Sequence, residues 1–271
     1  MYDLHIHSNN SHDSNQSLDE ICMTAIEKGL KGIAICDHDD VCFSKELNTP
    51  LHIKKCIEDV KNARKKYGDK IKILQGVEMA EYLTDPEEGE KTLSLCNYDI
   101  ILGSVHTVCF DEFTDSYSRI DFSNITEERI LTFMNLYFDK ILEMTEKTDF
   151  DILTHINCPM RYINGKYNRN INIMEFKSKI SEILELIIKK DIALEINTSG
   201  YSPNIDGLMP NKEIISLYKD LGGKLISLGS DAHAVQNIGK GFNETSEFLI
   251  TEGFRSYVYF EDRKPHEIEF K

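Results

Sequence analysis

The ionisable residues of this sequence gather where short apolar runs end. Asp3-Leu4-His5-Ile6-His7 comes first, and Asp37-His38, Glu78, His106, His155 and Ser230-Asp231-Ala232-His233 follow. Side chains two apart on a strand share a face, so His5 and His7 can converge on one ion. Asp231 and His233 can do the same where their turn stays extended. Imidazole and carboxylate without thiolate suit zinc, iron or manganese, and a carboxylate such as Glu78 can bridge two ions in a hydrolytic site. Any one histidine is more ordinarily a surface or hydrogen-bonded core residue. What argues for ligation is that 5, 7, 38, 106, 155 and 233, six of nine, sit at strand ends.

Other catalytic devices have little support. The sequence holds no G-x-x-x-x-G-K-[ST], no G-x-G-x-x-G after a strand and no G-x-S-x-G elbow. Ser199 and Cys158 lack an adjacent general base that is not better used as a ligand, and both read as wall residues. Seven cysteines, an odd number without C-x-x-C spacing, read as reduced and mostly buried.

The elements that must position these residues alternate. Ser17 and Glu20 form a capping box ahead of a helix whose apolar face is Leu18, Ile21, Cys22, Ala25 and Ile26, and Gly29 stops it. Strands are expected at 32–36, 71–77, 99–104, 151–154, 193–197, 224–228 and 256–260, after a first one running into His5 and His7. Helices are expected at 53–67, 127–147, 173–190 and 211–221. Such alternation means crossover connections and a largely parallel sheet, and in α/β barrels the chemistry stands at the carboxyl ends of the strands.

A chain of 271 residues with 41% hydrophobic content suits one domain over 1–271. Asp and Glu number 46 against 31 Lys and Arg, and the net charge of -15 repels polyanions, so nucleic acid is not an expected partner. Neither a basic-then-apolar start nor a run of about 18 apolar residues occurs, so no membrane association and a cytoplasmic location are expected.

The strings Asp3-Leu4-His5-Ile6-His7-Ser8, Asp37-His38, Gly76-Val77-Glu78, Gly103-Ser104-Val105-His106, Thr154-His155 and Gly229-Ser230-Asp231-Ala232-His233 together resemble the polymerase-and-histidinol-phosphatase (PHP) superfamily. Four further features point to its histidinol-phosphatase branch. They are Glu195-Ile196-Asn197-Thr198-Ser199-Gly200, the acidic insert after Glu78, Gly241-Phe242, and Arg263-Lys264-Pro265.

The resemblance implies a distorted seven-stranded (β/α) barrel with two or three divalent ions. The first would take His5, His7, Glu78 and Asp231, and the second Glu78, His106 and His155. The third would take Asp13, His38 and His233, with His12 the alternative to Asp13 or a substrate contact. Arg161 matches a basic position that grips phosphate. The branch typically carries a second arginine where this chain has Ser202, which opens the question of substrate.

The implied reaction is hydrolysis of L-histidinol phosphate to L-histidinol and phosphate, a step of histidine biosynthesis. The ions would activate a water that attacks phosphorus, Arg161 would stabilise the phosphoryl oxygens, and Asp231 or His233 would assist proton transfer. Glu81, Asp85, Glu87 and Glu88 either lend acidity to the barrel mouth for the substrate's ammonium or form a solvated loop. Alternatives are another small phosphomonoester or nucleotide as substrate, and a non-catalytic metal-binding module.

Overall fold

The computed structural model describes residues 1–270 apart from 112, 203, 204 and 207, and the side chains of 201–207 stand outside it. Ser202 is among those.

Seven strands make the expected distorted barrel: β1 (Tyr2–Ile6), β2 (Gly32–Ile35), β4 (Lys72–Ala80), β5 (Ile100–Ser104), β6 (Ile152–Leu153), β7 (Ala193–Asn197) and β10 (Ile226–Gly229), each parallel to the next. The ring closes between its first and last strands by a parallel bridge of Ile6 to Ala232, where the His7 N–H donates to the Ala232 carbonyl at 3.1 Å. A short β3 (His38–Asp40) continues the line of β2 and pairs with the far half of β4. Two brief strands, β8 (Tyr201–Ser202) and β9 (Ile205–Asp206), form a separate antiparallel pair.

The outer layer is helical. It comprises α1 (Leu18–Glu27), α2 (Ser44–Leu47), α3 (Thr49–Tyr67), α4 (Pro86–Leu93), α5 (Glu127–Lys147), α6 (Lys177–Lys189), α7 (Lys212–Asp220) and α8 (Phe242–Thr251). The capping box of Ser17 and Glu20 starts α1 as read, and Thr126 caps α5. Among the described residues no helix is long and apolar enough to cross a membrane.

Helices α2 and α8 and the short strands β3, β8 and β9 were not expected from the sequence, and three further segments differ from expectation. The acidic run after Glu78 is α4, because Asp85 accepts from the Glu88 N–H and Pro86 fills the first turn, where a missing N–H costs nothing. Helix α3 begins four residues early, with Pro50 likewise in its first turn. The strand expected last, β11 (Ser256–Glu261), is followed by β12 (Lys264–Glu269), which folds back antiparallel on it through Asp262 and Arg263, both at positive φ.

That hairpin stops the amino-terminal end of the barrel. Val258 and Phe260 pack into one cluster with Leu4, Ala34, Cys36, Leu74, Ile100, Leu102, Ile152 and Ala193, one or two from each of six barrel strands. Arg263 reaches Asp151 and Asp149 at 3.1 Å, so it braces this end rather than meeting substrate.

Alternation along each strand carries the inner face upward from this apolar floor to a polar rim. Leu74 is followed by Gly76 and Glu78, Ala34 and Cys36 by His38, Leu102 by Ser104 and His106, and Ala193 by Glu195 and Asn197. Gly76 marks the level at which the interior is full, since a Cβ there would stand 2.3 Å from Cys36 Sγ and 2.8 Å from Ile100 Cγ2. Gly76→Ala is expected to destabilise the barrel by about 1–3 kcal/mol through overpacking. Denaturant midpoints check this, and an unchanged midpoint contradicts a filled interior.

Candidate metal centre

Glu78 lies at the middle of the rim, fully buried, and its two carboxylate oxygens face two different sets of imidazoles. Oε2 stands 3.2 Å from His5 Nε2, 3.5 Å from His7 Nε2 and 2.9 Å from His38 Nδ1. Oε1 stands 3.2 Å from His106 Nε2 and 2.9 Å from His155 Nε2. Asp231 Oδ1 closes the first set, 3.3 Å from His7 Nε2 and 3.8 Å from His5 Nε2. A third set forms around Asp13 Oδ2, at 3.0 Å from His233 Nε2 and 3.5 Å from His38 Nε2.

These spacings fit divalent ions. Atoms bound at 2.0–2.2 Å to one tetrahedral ion stand about 3.3–3.6 Å apart, close to the separations within the first set. His5 Nε2, His7 Nε2, His38 Nδ1 and Glu78 Oε2 are buried without a hydrogen-bond partner, although buried polar atoms normally have one. Four groups of three donors lie close enough to hold an ion: His5, His7 and Asp231; His5, Glu78 and His155; His38, Glu78 and His106; and His7, His38 and His233.

All nine residues expected as ligands therefore come together, with two adjustments. Asp231 sits at φ 51, so its turn is not extended and the Asp231/His233 pair does not chelate one ion as a strand pair would. Asp231 instead faces His5 and His7, while His233 Nδ1 meets the Asp231 carbonyl at 2.9 Å and its other nitrogen turns to Asp13. His38 is shared, with one nitrogen toward Glu78 and the other toward Asp13. Between the two candidates in the first loop, Asp13 is in reach of both rings, whereas His12 is exposed and touches His38 only ring to ring, at 5.4 Å.

A second layer of carboxylates fixes the rings. Glu195 Oε1 is 2.6 Å from His5 Nδ1, and its Oε2 accepts from the His155 N–H at 2.9 Å. That second bond turns His155 inward just past the end of β6. Asp40 Oδ1 is 2.7 Å from His106 Nδ1, and Glu81 Oε1 accepts from the N–H groups of His106 and Thr107. Such partners fix the tautomer and raise ligand basicity. The sequence offered Glu81 only as acidity at the barrel mouth and Glu195 only as part of a family string, and it gave Asp40 no role. Asp40 was findable, two residues beyond His38 and on the same face, but β3 was not anticipated. Glu195 shares its face with Asn197 in the same way.

Burial disfavours charge on every one of these groups, and the neighbours decide which side wins. Glu195, Glu78 and Asp231 hold His5 well above the ordinary imidazole range, and carboxylates likewise raise His38 and His106. His7 is pushed down to about 3 by burial and by His38 and His233. Glu78 and Asp231 are held well below the usual carboxylate range by surrounding histidines. Metal ligation requires neutral imidazole. Adding zinc to the metal-free protein near neutral pH is accordingly expected to release protons from His5, His38 and His106, with affinity falling as pH falls. Calorimetric heats that vary with the ionisation heat of the buffer check this, and buffer-independent heats contradict it.

The cluster opens into a cleft of about 870 Å³. Arg161 stands on its wall and donates to Ser199 Oγ at 3.3 Å, and that hydroxyl also contacts Asn197 Oδ1 at 2.7 Å and Asp231 Oδ2 at 3.2 Å. Ser199 is thus a spacer between arginine and carboxylate. Cys158 lines the same wall with its thiol pushed up to about 11 by burial, which suits a wall residue and not a nucleophile. The acidity expected from 81, 85, 87 and 88 is not here, since none of them lines the cleft. Asp85 caps α4 and pairs with Lys45, and Glu88 pairs with Lys91. Apart from the ligand candidates and Asp40, the carboxylates that line the cleft among the described residues are Glu46 and Asp115.

Comparison with known proteins agrees with this geometry. A family model described as PHP domain matches residues 3–199. A histidinol-phosphatase of Lactococcus lactis is 26% identical over 97% of this chain and 95% of its own length. A probable histidinol-phosphatase of Thermotoga maritima is 27% identical over 97% of both chains. A crystal structure of the Lactococcus lactis histidinol phosphate phosphatase, complexed with zinc, L-histidinol and phosphate, superposes with a TM-score of 0.74 over 98% of each chain at 22% identity. A putative histidinol phosphatase of Listeria monocytogenes gives 0.70 over 90% of this chain and 99% of its own, at 19% identity. With the family model covering well over half of its length, the chain belongs to the PHP domain family.

Proposed function

We propose that the chain, acting as one unit over 1–271, is a metal-dependent phosphomonoesterase that hydrolyses L-histidinol phosphate to L-histidinol and phosphate, as a step of histidine biosynthesis. The observation that carries this is Glu78, whose two oxygens address two imidazole sets at the floor of an open cleft. That shape suits two adjacent divalent cations better than a single structural one. Relatives named for this activity align over nearly the whole chain.

In this assignment His5, His7, Glu78 and Asp231 hold one ion, Glu78, His106 and His155 a second, and Asp13, His38 and His233 a third. Ions bound there would lower the pKa of water toward neutrality and offset charge on the phosphoryl oxygens. The protein's own part is orientation and proton handling. Arg161 presents a planar fork of donors to the phosphoryl oxygens, held in place by Ser199. Asp231, held anionic by the surrounding histidines, turns Oδ2 toward Ser199 and the cleft, where it would accept a hydrogen bond from the attacking water and steer its proton. With the third site empty, His233, which burial lowers but Asp13 and Asp231 raise further, carries a proton for the departing alkoxide. Glu46 and Asp115 give the substrate's ammonium a counter-charge at the rim.

Steady-state hydrolysis of a panel tests the assignment: L-histidinol phosphate, other small phosphomonoesters, nucleotides and a phosphodiester. The highest kcat/KM is expected for L-histidinol phosphate, and a higher value for any other member overturns the substrate. Arg161→Ala is expected to lower kcat/KM for L-histidinol phosphate by about 10- to 100-fold, the usual range for losing a charge-assisted hydrogen bond. Unchanged kcat/KM removes Arg161 from phosphate binding.

A further inference from the structure

We propose that Lys240 is a second phosphate-binding residue of the cleft, its ammonium meeting the phosphoryl group of a bound ester or free phosphate together with Arg161. This role rests on the phosphomonoesterase function proposed above.

Among the described residues three lysine or arginine side chains line the cleft, and of these the Lys240 ammonium has no partner. Arg119 is tied to Asp115 at 3.2 Å, and Arg161 donates to Ser199. The Lys240 ammonium makes no hydrogen bond or ion pair among the described residues, in a chain with an excess of acidic groups. Its exposed side chain at the edge of a cleft that ends in a cation-binding cluster leaves the ammonium free to meet an anion that arrives from outside. A phosphate monoester carries a charge of roughly -1.5 to -2 at neutral pH and needs more than one such donor.

The backbone around Lys240 is built to hold it there. It stands between Gly239 and Gly241, both in the left-handed region at φ 61 and 75, and Gly241 starts α8. The Gly239 N–H donates to buried Asp3 Oδ2 at 2.9 Å, while Asp3 Oδ1 accepts from the Ser230 N–H at 2.9 Å. One carboxylate thus ties the turn that carries Lys240 to the turn that carries Asp231. Lys28 clamps the preceding residues through the carbonyls of Gln236 and Ile238, at 2.9 and 2.7 Å. The Lys240 N–H bonds the Asn237 carbonyl at 3.0 Å, and Asn237 also lines the cleft. A rigid base under a flexible, unpaired ammonium is what capturing a mobile anion requires.

The test uses zinc-loaded full-length protein, its Lys240→Ala and Lys240→Arg variants, and inorganic phosphate as the probe. Lys240→Ala is expected to weaken phosphate binding by calorimetry, and to raise KM for L-histidinol phosphate, by about tenfold each. kcat should change less, and metal content and Tm should stay as in the parent. Lys240→Arg should recover most of both losses, which a merely structural role would not predict. Equal phosphate affinity in parent and Lys240→Ala overturns the proposal, as does a loss that Lys240→Arg shares in full. Phosphate binding is measured without turnover, so the two ideas separate. A parent that hydrolyses no ester but loses phosphate affinity in Lys240→Ala overturns the phosphomonoesterase function and leaves Lys240 an anion site.

Discussion

Glu78→Gln is expected to leave a folded barrel that binds fewer divalent ions and hydrolyses L-histidinol phosphate about a thousandfold more slowly, or worse. The side chain keeps its shape but exchanges a buried carboxylate for an amide, and it does so at the atom pair shared by five imidazoles. One oxygen becomes an NH₂ that points donor hydrogens at cations, so at least one ion set loses its anionic member. Several kcal/mol of charge stabilisation at the phosphoryl group go with it. Elemental analysis of the purified variant and its phosphate release read the two effects together. Full metal content with full turnover contradicts the bridging role.

Glu195→Ala should weaken zinc binding by about 10- to 100-fold, the usual consequence of removing a carboxylate behind a ligating histidine. Its effect reaches two rings, because Oε1 orients His5 through Nδ1 and Oε2 holds the His155 backbone. Asn197 loses a partner for its amide at 3.0 Å as well. Glu195 packs tightly against Gly229, where a Cβ would lie 2.3 Å from its Oε1, and Gly229 has no side chain to take over its contacts. Competition with a chromophoric zinc chelator gives the affinities. Equal affinity in the variant contradicts the orienting role.

Which parts of this arrangement were readable in the sequence follows from what fixes each part. The floor and rim of the barrel repeat with a period of two, so apolar runs ending in histidine or carboxylate announced both the strands and the ligand positions. Glu78 was placed at a strand end when it lies inside β4, and its centrality needed the geometry to appear. The seven-stranded ring itself came from family resemblance, since alternation alone does not count strands.

What escaped sequence reading depends on single backbone states or on pairing over long separations. Asp85-Pro86 is a helix start, but the charge run around it read either as acidity at the barrel mouth or as a solvated loop. The hairpin that plugs the barrel turns through Asp262 and Arg263 at positive φ without the Asn-Gly signature such turns usually carry. Its second strand therefore went unread, and Arg263, matched to the family, proved to be a brace between strand ends. The split of Asp231 from His233 turns on one residue at φ 51, and the second-layer contact of Glu195 with His5 spans 190 positions.

The most direct measurement is phosphate release from L-histidinol phosphate by protein stripped of metal with a chelator and then titrated with zinc, iron(II) or manganese(II). Activity should be lost on stripping and return in proportion to ions bound, saturating at no fewer than two per chain. Stripped protein that keeps its full rate, or activity restored in full at one ion per chain, contradicts a cluster built around Glu78.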